Sequence, residues 1–140
     1  NQELFFLISI EVIILADVLE HMVDPASVLR GLSSLLAPNG RMIISLPNVA
    51  HHTVRRHLLL GRWNMQDSGI LDRTHLHFYT KKTAEKMISD SGLAIERIRP
   101  IVLSHKKFMQ NILPRLGGPI GYFLNNFFGY QFIFIAKKST

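Results

Sequence analysis

Two apolar runs separated by a single capped helix constrain this chain more than any other feature. Glu11-Val-Ile-Ile-Leu-Ala16 is continuously apolar after its first residue, the pattern of a strand covered on both faces. Polar side chains then appear abruptly at Asp17-Val-Leu-Glu-His21. Asp24-Pro25 opens a helix, because Asp can cap and Pro is tolerated at the first helical position. Val28, Leu29, Leu32, Leu35 and Leu36 give that helix one apolar face. Pro38-Asn39-Gly40 is expected to stop it, and Arg41-Met-Ile-Ile-Ser-Leu46 is the next strand, ended by Pro47. Strand, helix, turn and strand make a βαβ unit, which winds a parallel sheet. Ligands of open parallel sheets bind beyond the carboxyl ends of the strands. The two visible ends are Asp17 to His21 and Pro47 to His52, so a site should draw on both.

Further on, residues 53–62 read as a short helix and residues 63–79 as a long loop. Thr80 can cap a helix running to Ser91, closed by Gly92. Leu93 to Arg99 alternates imperfectly and is rich in charge, which fits an edge strand. Tyr130-Gln-Phe-Ile-Phe-Ile-Ala136 is apolar enough to be a central strand. Residues 105–129, between these strands, hold helix-like pieces broken by Pro114 and Gly117-Gly118.

With 140 residues the chain supports one domain. It has no cysteine, which excludes disulfide frameworks, thiolate nucleophiles and cysteine-ligated metal, and fits a reducing, cytoplasmic location. The net charge of +6 is uneven: residues 1–80 carry 6 basic and 7 acidic groups, residues 81–140 carry 10 and 3. The apolar run Leu4–Ala16 is too short for a membrane span, contains Glu11 and lacks a basic flank.

Several pieces, in this order and with these gaps, carry a family likeness. Asp17-Val-Leu-Glu-His-Met-Val-Asp-Pro25, Leu36-Ala-Pro-Asn-Gly40 and Ser45-Leu-Pro-Asn48 resemble the second half of a class I S-adenosylmethionine-dependent methyltransferase. Within that superfamily they resemble the branch holding ubiquinone-type O-methyltransferases. Gly69-Ile-Leu-Asp-Arg-Thr-His75, Phe78-Tyr-Thr80 and the closing Tyr130–Lys137 are similar to bacterial members of it. Such proteins carry a glycine-rich turn after an earlier strand and an acidic residue after the next, which hold the cofactor. This sequence has no G-x-G run after a strand, and Gly117-Gly118 follows a helix-like piece. The resemblance therefore implies a single partial domain over residues 1–140, lacking the glycine-rich half, with a helical insertion at 105–129.

The same resemblance implies that Asp17, Val18 and Leu19 run past the methionine part of S-adenosylmethionine. It also implies a divalent metal on Asp17, Glu20, His21 and a later histidine, His75 or His77; in one helical turn positions 17, 20 and 21 share a face. Glu20 and His21 hydrogen-bonding each other or nearby backbone is the structural alternative. His51 and His52 lie past the second strand end, where the acceptor is expected, and an imidazole there suits a general base. Asn48, Trp63, His75 and Tyr79 are expected around the acceptor, with the Asp72–Tyr79 stretch as a lid. Equally, Trp63, Phe78 and Tyr79 could anchor a long loop to the sheet.

These readings combine into a Rossmann-like α/β half-domain of three layers, mostly parallel, with one antiparallel strand at the C-terminus. The implied function is methyl transfer to a small-molecule, sugar or lipid hydroxyl by the full-length form. The alternative is a non-catalytic interaction module, or a degenerate half-domain that binds no cofactor alone. A small-molecule acceptor is expected and nucleic acid is not, because no basic stripe or RNA-binding signature accompanies the charge. The open edge of the first strand is expected to be covered by Leu4–Ser9 or by a second copy in a homodimer. The basic, aromatic-rich residues of 105–129, with Lys137 and Lys138, suit peripheral contact with a membrane, the blander and preferred reading being sheet-covering core or a dimer contact.

Overall fold

The structure, a computed structural model, describes residues 9–103, 111–112 and 115–139. Strand β1 (Ile10–Ala16) leads through a short 3-10 turn (Leu19–His21) into helix α1 (Pro25–Leu35) and strand β2 (Leu36–Pro47). Helices α2 (His52–Leu59) and α3 (Lys81–Asp90), strand β3 (Leu93–Ile101), helix α4 (Gly118–Phe128) and strand β4 (Gln131–Lys138) follow.

The local signals act as their chemistry requires. The Asp24 carboxylate accepts from the Ser27 N–H at 3.0 Å with Pro25 in the first turn of α1. Thr80 and Thr83 cap the start of α3 reciprocally. Pro38-Asn39-Gly40 does not separate helix from strand as expected: α1 ends at Leu35 and β2 begins at Leu36. The surplus residues are absorbed where the β1–β2 register shifts, Ile10 facing Leu36 and Val12 facing Arg41. A Cβ on Gly40 would stand 2.7 Å from the Ile10 carbonyl oxygen, so this irregularity requires glycine.

The sheet order is β1-β2-β4-β3, with β3 at an edge as its sequence suggests. Only β1 and β2 pair in parallel; β4 is antiparallel to both β2 and β3. The expectation of a mostly parallel sheet is therefore corrected to a mixed one. β1, β2 and β3 point the same way, but β4 inserts between two of them and makes both of its pairings antiparallel.

Leu15, Met42, Ile44, Leu46, Phe132, Phe134 and Ala136 alternate onto one face, where Leu29, Ala84 and Ile88 of α1 and α3 cover them. The opposite face is less covered. Val12 and Ile14 are 51% and 65% exposed, so β1 is not buried on both sides. The described residues thus form two layers here rather than the expected three. Residues 4–8, expected to fold over this edge, lie outside the described residues, as do 105–110 and 113–114 of the helical segment.

Candidate functional site

The carboxyl ends of β1 and β2 lie side by side, because Ala16 pairs with Ser45. Asp17, the next residue, has a φ of 53°, which Asp tolerates better than most side chains. Its N–H donates to the Ser45 hydroxyl at 3.1 Å, and that hydroxyl donates back to Asp17 Oδ1 at 3.1 Å. Gln131 Nε2, at the start of β4, donates to the same oxygen. Asp17 thus ties three strand ends together and turns the chain away from the sheet.

That turn delivers Glu20 and His21. The loop bearing His75 is docked onto them through the Glu20 carbonyl, which accepts from Leu76 N–H at 2.8 Å and His77 N–H at 3.1 Å. Glu20, His21 and His75 each offer a ligand atom, all within 4.8 Å of one another. His21 Nδ1 donates to the Thr74 carbonyl at 3.2 Å, and His75 Nδ1 to the Ile70 carbonyl at 3.3 Å. A carbonyl only accepts, so Nδ1 carries a proton in each imidazole, and in the neutral ring the lone pair is then on Nε2. Glu20 is 1% exposed, and neither carboxylate oxygen has a hydrogen-bond partner among the described residues. Burial, the largest influence, pushes its carboxyl above the ordinary carboxylate range. An orphaned buried carboxylate beside two imidazole lone pairs is a donor set that fits a divalent cation. Asp17, expected as a fourth ligand, is not in this cluster, and His77 instead points Nε2 at the Val23 carbonyl, 3.3 Å away.

These residues line a cleft of about 220 Å³ together with Asp17, Pro47, Gly69, Asp72, Tyr130 and Gln131. Pockets for drug-sized ligands run to about 300–1,000 Å³, so this cleft is sized for the reacting end of a larger molecule. Tyr130 also lines a second pocket of about 140 Å³, formed by Thr53, Val54, His57, Gln66, Ile70 and Leu71.

Other expected residues point elsewhere. Asn48 is fully buried: its amide donates to the carbonyls of Asn126 at 2.8 Å and Gly129 at 2.7 Å, and its oxygen accepts from Ala50 N–H. Its amide hydrogens join the end of β2 to the end of α4, and its oxygen holds the turn that follows β2. His51 is buried, its Nδ1 is 2.8 Å from the Thr53 hydroxyl, and its ring meets Tyr130 edge-on. Desolvation, aided by His52, lowers its pKa to about 4, which keeps it neutral but makes it a weak base. His52 packs on Phe127 and Phe128. Neither histidine lines the cleft. Trp63 stands edge-on to Phe78, which in turn contacts His75. Tyr79 lies in the main core, its hydroxyl pushed up to about 12 chiefly by burial and next by the Glu20 charge. Both fit the alternative of anchoring the loop. His75 alone of the four expected acceptor residues borders the cleft.

Sequence reasoning missed Tyr130 and Gln131. The available signal was strand direction: in an antiparallel β4 the first residues lie beside the last residues of β2, and Gln131 pairs with Pro47.

No curated protein matches this chain in sequence. Its fold is similar to several solved structures. The small RNA methyltransferase HEN1 aligns with a TM-score of 0.57 at 16% identity, over 96% of this chain and 14% of that one. A SAM-dependent methyltransferase from Archaeoglobus fulgidus aligns at 0.57 and 16%, over 94% and 60%. An S-adenosylmethionine-dependent methyltransferase from Mesorhizobium loti aligns at 0.59 and 15%, over 94% and 62%. The chain therefore spans less than two thirds of each of these proteins. At such identities the likeness is one of fold, and the sequence match over residues 7–98 supplies the rest: this chain belongs to the methyltransferase domain family.

Proposed function

We propose that this chain forms the acceptor side of an S-adenosylmethionine-dependent methyltransferase acting on a hydroxyl of a small molecule, sugar or lipid. The observation that carries the reading is the buried Glu20 carboxylate, unpartnered among the described residues and within 4.8 Å of ligand atoms on His21 and His75. Family membership and the convergence of the β1 and β2 ends on the same cleft support the donor.

Glu20, His21 and His75 would hold a divalent cation. When bound, such an ion orients an acceptor oxygen and favours its deprotonated form, while S-adenosylmethionine supplies an electrophilic methyl group. The chain's own part is alignment. Asp17, Ser45 and Gln131 fix the strand ends, so that the turn at Asp17 stands at the cleft where the donor would lie. Leu19 is fully buried in the core, and Val18 does not line the cleft. The Thr74 and Ile70 carbonyls engage Nδ1 of His21 and His75, so that Nε2 would be the nitrogen offered to a cation. Gly69 and Tyr130 both line the cleft, and a Cβ on Gly69 would stand 2.7 Å from the Tyr130 hydroxyl. In the transfer the acceptor oxygen forms a bond to the methyl carbon as the carbon–sulfur bond breaks, and the hydroxyl proton leaves to solvent.

A second reading, a module that binds no cofactor alone, is favoured by the lack of a G-x-G turn after any strand of this sequence. Calorimetric titration separates the two. Binding of Mn²⁺ that falls at least about tenfold in Glu20→Gln and His75→Ala supports the metal. Absence of Mn²⁺ binding removes it. S-adenosylmethionine titrated into the same protein tests the donor separately, and absence of binding there favours the second reading.

A further inference from the structure

Helix α2 departs from the usual pattern of a surface helix. Leu58 and Leu59 at its end are 50% and 87% exposed, Leu60 beyond it is 61% exposed, and Trp63 follows in the same stretch. Positions 52, 55 and 59 share one face of α2, being three and four residues apart. That face meets α4. The His52 ring stacks 5.6 Å from Phe127, and the Arg55 guanidinium lies 5.8 Å over the same ring. Phe127 stacks in turn on Phe123, and Ile120 lies one turn before it; both Phe123 and Ile120 are exposed. The two helices so present one apolar surface running from Leu59 through Phe127 to Ile120.

Its charge is chiefly basic. Arg55, Arg56 and Arg62 are exposed along it, while Lys81, 4.3 Å over the ring of Tyr122 on α4, is paired with Glu85 at 3.6 Å. No Asp or Glu occurs from Asn48 to Gln66, nor anywhere after Glu96.

We propose that this face binds the surface of an anionic lipid bilayer. Exposed leucine and aromatic side chains with arginine beside them are what partition into the headgroup and acyl boundary. Arginines add attraction to anionic headgroups that salt screens. Charge complementarity selects this occupant. A second copy, docked about a twofold axis, would set the same arginines against each other. A neutral apolar partner would leave them unpaired, and a nucleic acid would use them while leaving Leu58, Leu59 and Leu60 bare. Among the described residues no helix is long and apolar enough to cross a membrane, so the contact is one of surface. The inference rests on these side chains and is independent of the chemistry in the cleft.

Trp63 is the only tryptophan in the chain and reports on this stretch directly. The 140-residue protein is mixed with phosphatidylcholine vesicles, with or without phosphatidylglycerol, at low and high salt. Expected is a blue shift of Trp63 emission and co-sedimentation with the anionic vesicles alone, both falling as salt rises. Leu59→Ser with Leu60→Ser, and separately Arg55→Gln with Arg56→Gln and Arg62→Gln, each weaken binding by at least about tenfold. Failure to bind anionic vesicles at low salt overturns the proposal. So does binding that the leucine variant leaves unchanged. Dimerisation that the leucine variant abolishes without any vesicle binding assigns the face to a second copy, and arginine-dependent binding of an oligonucleotide without vesicle binding assigns it to nucleic acid.

Discussion

A Cβ built on Gly69 would lie 2.7 Å from the phenolic oxygen of Tyr130, and Gly69 has a φ of 91°. Two independent penalties therefore protect this glycine. Gly69→Ala is expected to lower stability by about 1–3 kcal/mol from backbone strain alone, with the contact adding to it. Tyr130→Phe removes only the contact, so in a double-mutant cycle it should recover part of the loss. Urea denaturation of the four proteins measures this; a loss that Tyr130→Phe leaves untouched would show that the wall of the cleft yields.

Asn48 uses both amide hydrogens and its oxygen inside the protein. Asn48→Ala would strand the carbonyls of Asn126 and Gly129, for an expected cost of about 2–4 kcal/mol. Asn48→Asp should cost more, because a carboxylate would then face two carbonyl oxygens. Thermal melts check the order, and equal melting temperatures for all three proteins would contradict the clamp.

His51 gives a pH dependence of known sign. Its pKa falls from 6.5 to about 4 on folding, so between those values the unfolded chain binds a proton that the folded one does not. Its contribution is complete above about pH 6.5 and is lost as pH falls toward 4, on the order of 3 kcal/mol over the window. Wild type minus His51→Gln, measured by denaturation from pH 4 to 7, should show this slope. A flat difference curve would refute it.

Glu20 acts in the opposite sense. Its carboxyl is raised above 4.5, so the folded state holds the proton more tightly and loses stability as pH climbs through the folded value. Glu20→Gln should therefore be at least as stable as wild type without metal near pH 7. With Mn²⁺ at about a hundred times its Kd, wild type should gain about 2.7 kcal/mol and Glu20→Gln little. Equal responses of the two proteins to Mn²⁺ would rule out the carboxylate as a ligand.

Much of the local structure could be read residue by residue. Asp24-Pro25 and Thr80 mark helix starts because a side-chain oxygen meets N–H groups only three residues away. Glu20, His21 and His75 were legible as candidates, two from adjacency and one from the resemblance. Asn48 and His51 lie at the strand end where a ligand belongs, yet each is buried and turned inward. Nothing in their neighbourhood distinguishes a buried clamp from an acceptor contact. The partner that makes Asn48 a clamp is Gly129, 81 positions away.

By itself the sequence determined the strand–helix–strand order, the caps, the edge character of β3 and the one-sided charge of the last sixty residues. These follow from forces acting over a few positions. Only the tertiary structure decided that β4 enters between β2 and β3, that Tyr130 and Gln131 join the cleft, and that the Glu20 carboxylate has no partner among the described residues. Each depends on strand direction, register and burial, set by contacts such as Gln131 with Asp17, 114 positions apart. Short-range propensity cannot specify pairings over that distance; the shared core selects them.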